Sequence, residues 1–165
     1  MIRSAILAIC HIFAASATSL AQSQRLTGPE IRALFTGNTV SGMYLYGGVF
    51  SEYHAADGRA LGDNGLTLNT DACWNTDGDR VCYHYGRPPE RRTYCFHVER
   101  EGNRLDLRVS ETGRINAVGR IEKGNPDGHS DGGRSWSCDD LISRAPGGLR
   151  ANRLIARALS ARAAR

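Results

Sequence analysis

The order of apolar and polar positions changes character along the chain. Residues 5–15 form an almost unbroken apolar run. Ile31, Leu34 and Phe35 then recur at helical spacing, and from residue 39 the pattern becomes an alternation with a period of two. The alternation is plainest between Asp71 and Arg100. Val81, Tyr83 and Tyr85 share one face of a predicted strand, and Tyr94, Phe96 and Val98 are their expected cross-strand partners. Cys82, His84, Cys95 and His97 fall on the opposite face.

Turn signals divide the alternating region into short pieces. Asp77-Gly78 reads as a two-residue hairpin turn, since both residue types tolerate positive φ. A turn centred there sets Asn75 opposite Arg80, Trp74 opposite Val81 and Cys73 opposite Cys82. Pro88-Pro89 cannot donate to a ladder, so residues 86–92 are read as loop. Gly47-Gly48, Asp57-Gly58 and the run from Gly62 to Gly65 mark further turns. Strands are therefore expected at 39–46, 49–55, briefly after Gly58, and at 66–75, 79–85, 93–100, 104–110 and 114–122. Short connections between consecutive strands favour a mainly β fold: an antiparallel, up-and-down barrel of about eight strands, lipocalin-like in shape.

A short helix should precede the barrel. Thr27 and Glu30 have the spacing of a capping box, Leu26 and Ile31 suit a hydrophobic staple, and Gly37 is placed to end the helix. Its one apolar stripe suits a cover or plug for the sheet. Beyond Glu122 the alternation stops. Residues 123–134 read as loop, Trp136 and Cys138 as an anchor, and Asp139 onward as one helical turn. Leu149, Leu154, Ile155, Ala158 and Leu159 make a C-terminal helix a further candidate, although a frayed terminus is the simpler reading.

The first apolar run changes the setting. Arg3, the run itself and the small residues Ser19 and Ala21 stand in the order of a signal peptide cleaved before Gln22. Cys10 lies inside it, after a bulky Ile9 that suits a lipoprotein site poorly. The expected divisions are a signal peptide at 1–21, a barrel domain at 22–148 and a basic tail at 149–165, in a periplasmic or secreted protein. Four of the five cysteines then remain, and an even number in an oxidising compartment argues for two disulfides. Cys73–Cys82 with Cys95–Cys138 follows from the first hairpin register. Cys82–Cys95 with Cys73–Cys138 follows from the second, and is favoured because it ties the last cysteine back across the fold.

The formal charge of +4 invites a nucleic-acid reading, which its distribution removes. Six of the 21 basic residues are Arg3 and five arginines of the tail, which leaves 15 basic against 17 acidic residues between Gln22 and Gly148. No nucleic-acid partner is expected. Arginines beside leucines in the tail suit at most a weak membrane-surface contact.

The stretches LTGPEIRALFTGNTVSG, FSEYHAADGRALG and WNTDGDRVCY, with YCF downstream, resemble a group of small exported bacterial proteins. That group is marked by a leading helix ending in Gly-Asn-Thr-Val-x-Gly, a Phe-x-Glu-Tyr strand and a Gly-Asp-x-x-Cys hairpin. The resemblance spans Leu26 to Val98 and implies an exported β-rich domain without implying a reaction. Cys73, Cys138 and the arginine-rich tail depart from the pattern.

Candidate chemistry is sparse. Cys82, His84, Cys95 and His97 have the donor types that zinc and copper prefer, but a Cys82–Cys95 disulfide flanked by two histidines explains the same pattern. Asn75, Asp77 and Asp79, and again Asn125, Asp127, His129 and Asp131, alternate as cation ligands can, yet suit solvated loops better. Glu52 and His54 share a strand face with no evident nucleophile and read as an exposed edge. No nucleophile elbow, zinc-protease motif or phosphate loop is present. The expectation is a non-enzymatic, cofactor-free binding protein for a small molecule or an envelope protein. Tyr83, Tyr85, Tyr94 and Phe96 would form either the core or the wall of a ligand pocket. A metal-binding envelope protein and an enzyme with a dispersed site are the alternatives.

Overall fold

The computed structural model describes residues 23–142 apart from Leu66 and Pro88. The expected signal peptide and basic tail lie outside the described residues. In chain order the elements are β1 (Gln24–Arg25), α1 (Gly28–Phe35), β2 (Asn38–Tyr44), β3 (Val49–His54), β4 (Ala60–Asp63), β5 (Cys73–Thr76), β6 (Val81–Tyr85), β7 (Arg92–Glu101), β8 (Arg104–Val109), β9 (Ile115–Lys123) and α2 (Asp139–Ile142).

The strands run as an antiparallel meander in the order β4-β3-β2-β9-β8-β7-β6-β5. β2 pairs with β9 over seven residue pairs, from Asn38↔Lys123 to Tyr44↔Ala117. That pairing rolls the sheet into a barrel that is nearly closed. The remaining gap, between β4 and β5, is spanned by the single bridge Arg59↔Cys73 and by backbone bonds Ala60 N–H to Ala72 O and Trp74 N–H to Gly58 O. β1 pairs with the far end of β7, beside the shorter β6. It uses edge groups that would otherwise face solvent.

Alternation places the core. Val40, Phe50, Trp74, Val81, Tyr83, Val98, Leu105, Leu107 and Ala117 are buried on the inner face. Gly42 and Gly119 pair across β2 and β9, where a Cβ on Gly42 would lie 2.1 Å from the Val118 carbonyl oxygen and one on Gly119 would lie 2.9 Å from that of Ser41. The two strands approach so closely there that neither position has room for a side chain.

α1 closes one end of the barrel. The Thr27 N–H and hydroxyl both donate to the Glu30 carboxylate, at 2.8 and 2.7 Å, so the capping residues act as their spacing predicts. Those bonds also hold the Glu30 carboxyl below its ordinary range. Ile31 and Phe35 are fully buried. The helix start is locked to the β5–β6 turn, where Gly28 N–H donates to Asp79 Oδ1 at 2.8 Å. A Cβ on Gly28 would lie only 2.1 Å from the Gly78 carbonyl oxygen, so this approach requires glycine.

Two expectations need correction. The first hairpin turns one residue later than the Asp77-Gly78 signal suggests. Asp77 and Arg80 face one another and form an ion pair, with Gly78 at φ 56° and Asp79 at the tip. Cys73 therefore faces His84, Trp74 faces Tyr83 and Asn75 faces Cys82. This register aligns Trp74 with Tyr83 on the inner face and leaves Cys73 free of Cys82. The strand expected at 66–75 is also shorter. Only Cys73–Thr76 is strand, because the residues from Thr67 to Asp71 fold over the open end of the barrel.

Both disulfides of the favoured pairing are present, Cys82–Cys95 between adjacent strands and Cys73–Cys138 between β5 and the segment before α2. They close loops of 13 and 65 residues respectively. Loop-closure entropy then assigns about 3 kcal/mol to the first and about 4 kcal/mol to the second. Urea unfolding of the Cys73→Ser/Cys138→Ser and Cys82→Ser/Cys95→Ser double variants should show the larger loss in the first. The reverse order would refute the loop-length account.

Candidate ligand-binding site

The end of the barrel opposite α1 is hollow. A cavity of about 650 Å³ opens between the strand ends and the 64–71 loop. Its aromatic lining comes from four strands and one turn. Tyr44 of β2 stacks on Tyr46 at 4.9 Å with the rings 12° apart, and meets Phe50 of β3 at 5.0 Å. Across the cavity Tyr83 of β6 lies 6.2 Å from Phe96 of β7, and Tyr85 lies 6.1 Å from Tyr94. Leu107 and Ala117 add an aliphatic patch, and Asn64, Thr67, Asn69, Thr70, Asp71 and Asn116 supply the polar rim. The four aromatic residues singled out from the sequence thus stand together on one wall, where Tyr83 also belongs to the core.

A floor separates this space from the helix. His54 is fully buried there, with Phe35, Trp74 and Tyr83 around its ring at 4.9, 5.0 and 5.7 Å. Its Nε2 bonds the Tyr83 hydroxyl at 2.8 Å, while Nδ1 has no hydrogen-bond partner. Burial pulls the His54 pKa down to about 3, so the ring is neutral at any ordinary pH.

Glu52 is the charged group of the wall. It is 4% exposed and lines the cavity one turn of the pleat above His54. Asn69 Nδ2 donates to its Oε1 at 2.6 Å, and the Tyr85 hydroxyl donates to the same oxygen at 3.2 Å. Oε2 receives neither bond. Burial pushes the carboxyl up to about 7, against the two hydrogen bonds that favour the anion, and Asp63 adds a small upward push. The anion in turn raises the Tyr44, Tyr83 and Tyr85 hydroxyls, on top of their own burial.

No family model, curated protein or solved structure matches this chain. The site therefore stands on its own geometry.

Glu52 and His54 are the residues that sequence reasoning misplaced. They lie inside the barrel and not on an exposed edge. The available signal was parity: Phe50, Glu52 and His54 alternate on one strand, and Phe50 is a core residue. The Cys/His set is arranged differently from a metal centre. Cys82 and Cys95 are bonded to each other. His84 lies between Thr93 Oγ1 and Asn75 Oδ1, at 2.9 and 3.2 Å, and burial first and Arg91 second lower its pKa. His97 Nδ1 bonds the Asp79 carbonyl at 3.1 Å. Among the described residues no three His, Cys, Asp or Glu side chains gather as a metal would need. The 123–134 loop is tied to the outer wall instead of being a free polar loop. Ser51 Oγ meets Asp127 Oδ2 at 2.8 Å and His129 Nε2 at 2.7 Å, and Arg59 pairs with Asp131.

The buried acid has a measurable consequence. Its folded-state pKa of about 7 stands above the ordinary 4.5, so folding takes up a proton between those values. Glu52 therefore costs stability as pH rises through that window, on the order of 3 kcal/mol by pH 8. His54 acts in the opposite sense, since stability drawn from its neutral form is lost as pH falls from 6.5 toward about 3. Glu52→Gln should raise the unfolding free energy by about 2–3 kcal/mol at pH 8 and by little at pH 4.5. Denaturant titrations at the two pH values check this; an equal gain at both would exclude a raised carboxyl.

Proposed function

We propose that the protein binds a small, partly apolar molecule inside the barrel and works outside the cytoplasm as a non-enzymatic binding protein. The cavity carries this reading. A fully packed barrel of eight strands leaves no such space, and the 650 Å³ here is within the range that drug-sized ligands occupy. An aromatic wall with a few convergent polar groups is the usual make-up of a pocket that holds one organic molecule. Phe35, His54 and Trp74 form a rigid floor, so the site is formed before any ligand arrives. Export is supported by the ordered signal-peptide features of residues 1–21 and by two disulfides that suit an oxidising compartment.

Catalysis has one observation in its favour, a carboxyl whose pKa lies near neutrality within a cavity. That feature is incomplete as a reaction centre. No histidine, cysteine or lysine is found among the described lining residues, and His54 sits behind Tyr83. Binding is the better reading.

An uncharged hydrophobic fluorophore, N-phenyl-1-naphthylamine, tests the cavity directly. It should bind with one-to-one stoichiometry. Tyr94→Ala should weaken binding about tenfold by removing one aromatic contact, whereas Tyr53→Ala, away from the cavity lining, should not change it. Absence of saturable binding, or equal effects of the two substitutions, would refute the reading.

A further inference from the structure

Resting on that reading of the cavity, we propose that its occupant is a small organic cation, an amine or a quaternary ammonium. Its charged head sits against the Glu52 carboxylate, and its apolar part lies along the tyrosine and phenylalanine walls.

A carboxyl group buried in an apolar wall is costly unless it is paired or well solvated by donors. Glu52 is 4% exposed and has two neutral donors, Asn69 and Tyr85, both on one oxygen. If Glu52 served only to hold the 64–71 loop through Asn69, a glutamine would accept the same bond without the charge. Among the described residues no Lys, Arg or His forms an ion pair with this carboxylate, and the oxygen that takes neither bond belongs to a side chain lining the cavity.

The surroundings select the same chemistry. Aromatic faces attract cations through their quadrupole, and several rings around one carboxylate form the arrangement that recognises alkylated ammonium groups. Tyr44, Tyr83 and Tyr85 stand close enough to Glu52 to feel its charge, so one cation can meet the acid and the rings together. Acidic side chains also stand at and beside the mouth. Asp71 lines it, and Asp63 on β4 acts on Glu52 from the neighbouring strand. Arg92 is the cation of the rim; it is exposed and lies opposite Tyr85 at the outer end of β7. An anionic ligand would have to approach Glu52 itself, whereas a neutral one would leave the carboxylate unpaired.

The pH dependence follows. The groups facing Glu52 are Tyr44 from β2, Tyr83 and Tyr85 from β6, Asp63 from β4, Asn69 and Asp71 from the loop, Arg92 from β7 and, along its own strand, the neutral His54. The empty carboxyl is half protonated near pH 7. A cation must displace that proton, so its affinity should fall as the solution is acidified.

Three probes separate charge from shape. Benzyltrimethylammonium carries the cation, neopentylbenzene is its uncharged isostere, and N-phenyl-1-naphthylamine reports on the cavity alone. At pH 8 the cation should bind at least tenfold more tightly than the isostere. Glu52→Gln should remove that preference, whereas Tyr53→Ala, outside the cavity lining, should leave both the preference and the fluorophore affinity within twofold of wild type. In the wild-type protein, cation affinity should drop at least tenfold between pH 8 and pH 5, and the fluorophore should not follow. This profile needs no variant, so it decides the matter even if Glu52→Gln folds poorly. Equal binding of cation and isostere, or a flat pH profile, with the fluorophore still bound, would overturn the cation assignment and leave the cavity reading in place. Loss of all three probes from the wild-type protein would overturn both.

Discussion

The pairing of β2 with β9 is the contact on which the rest of the structure depends. These strands are the first and last of the barrel, separated by some 70 residues of chain, yet they share seven register pairs. Without them the meander is an open ribbon with one apolar face in water. With them the same face becomes an interior, and every inward side chain acquires neighbours from the far side. Tyr44 and Phe50 then confront Tyr83 and Phe96, which no local contact could arrange. The gap left between β4 and β5 is spanned by a single bridge and a few backbone bonds, with Cys73 tied to Cys138 beside it. Covalent reinforcement thus stands where the hydrogen-bonded ladder is thinnest.

Filling is uneven along this interior. Toward α1 the barrel is packed: Ile31 and Phe35 plug it, and His54 and Trp74 complete a floor of rings. Toward the other end the interior is lined by tyrosines whose hydroxyls need polar company. Glu52 marks the boundary between the two regimes. Two donors hold it in the wall, and burial holds its pKa near neutrality. A stability cost that grows from pH 4.5 to about 7 and the proposed affinity for a cation are two faces of the same undercompensated charge.

Much of this was legible along the chain because it rests on short-range chemistry. The capping pair Thr27 and Glu30, the alternation of Val81, Tyr83 and Tyr85, and the prolines after Gly86 act over a few residues. The facing positions of Cys82 and Cys95 follow from that alternation and a short hairpin. The Asp77-Gly78 signal was off by one residue for a tertiary reason. The turn is held by Asp79 reaching Gly28 on the helix, and by Trp74 matching Tyr83 inside the barrel. Residues 66–72 read as the start of a strand because Leu66 and Leu68 alternate with polar neighbours, while Asn69, bonded to Glu52, holds residues 67–71 over the cavity mouth.

The sequence by itself determined the class of fold, the meander, the helix and the number of disulfides, because side-chain period, turn chemistry and cysteine parity are local properties; it favoured one disulfide pairing without deciding it. The tertiary structure alone decided whether the barrel was filled and where the acid stood. Burial of Glu52 and His54 depends on distant residues, Asn69 at 17 positions from Glu52 and Tyr83 at 29 from His54 among them, and a cavity is the space that such residues fail to fill. No periodicity along one strand can report that space.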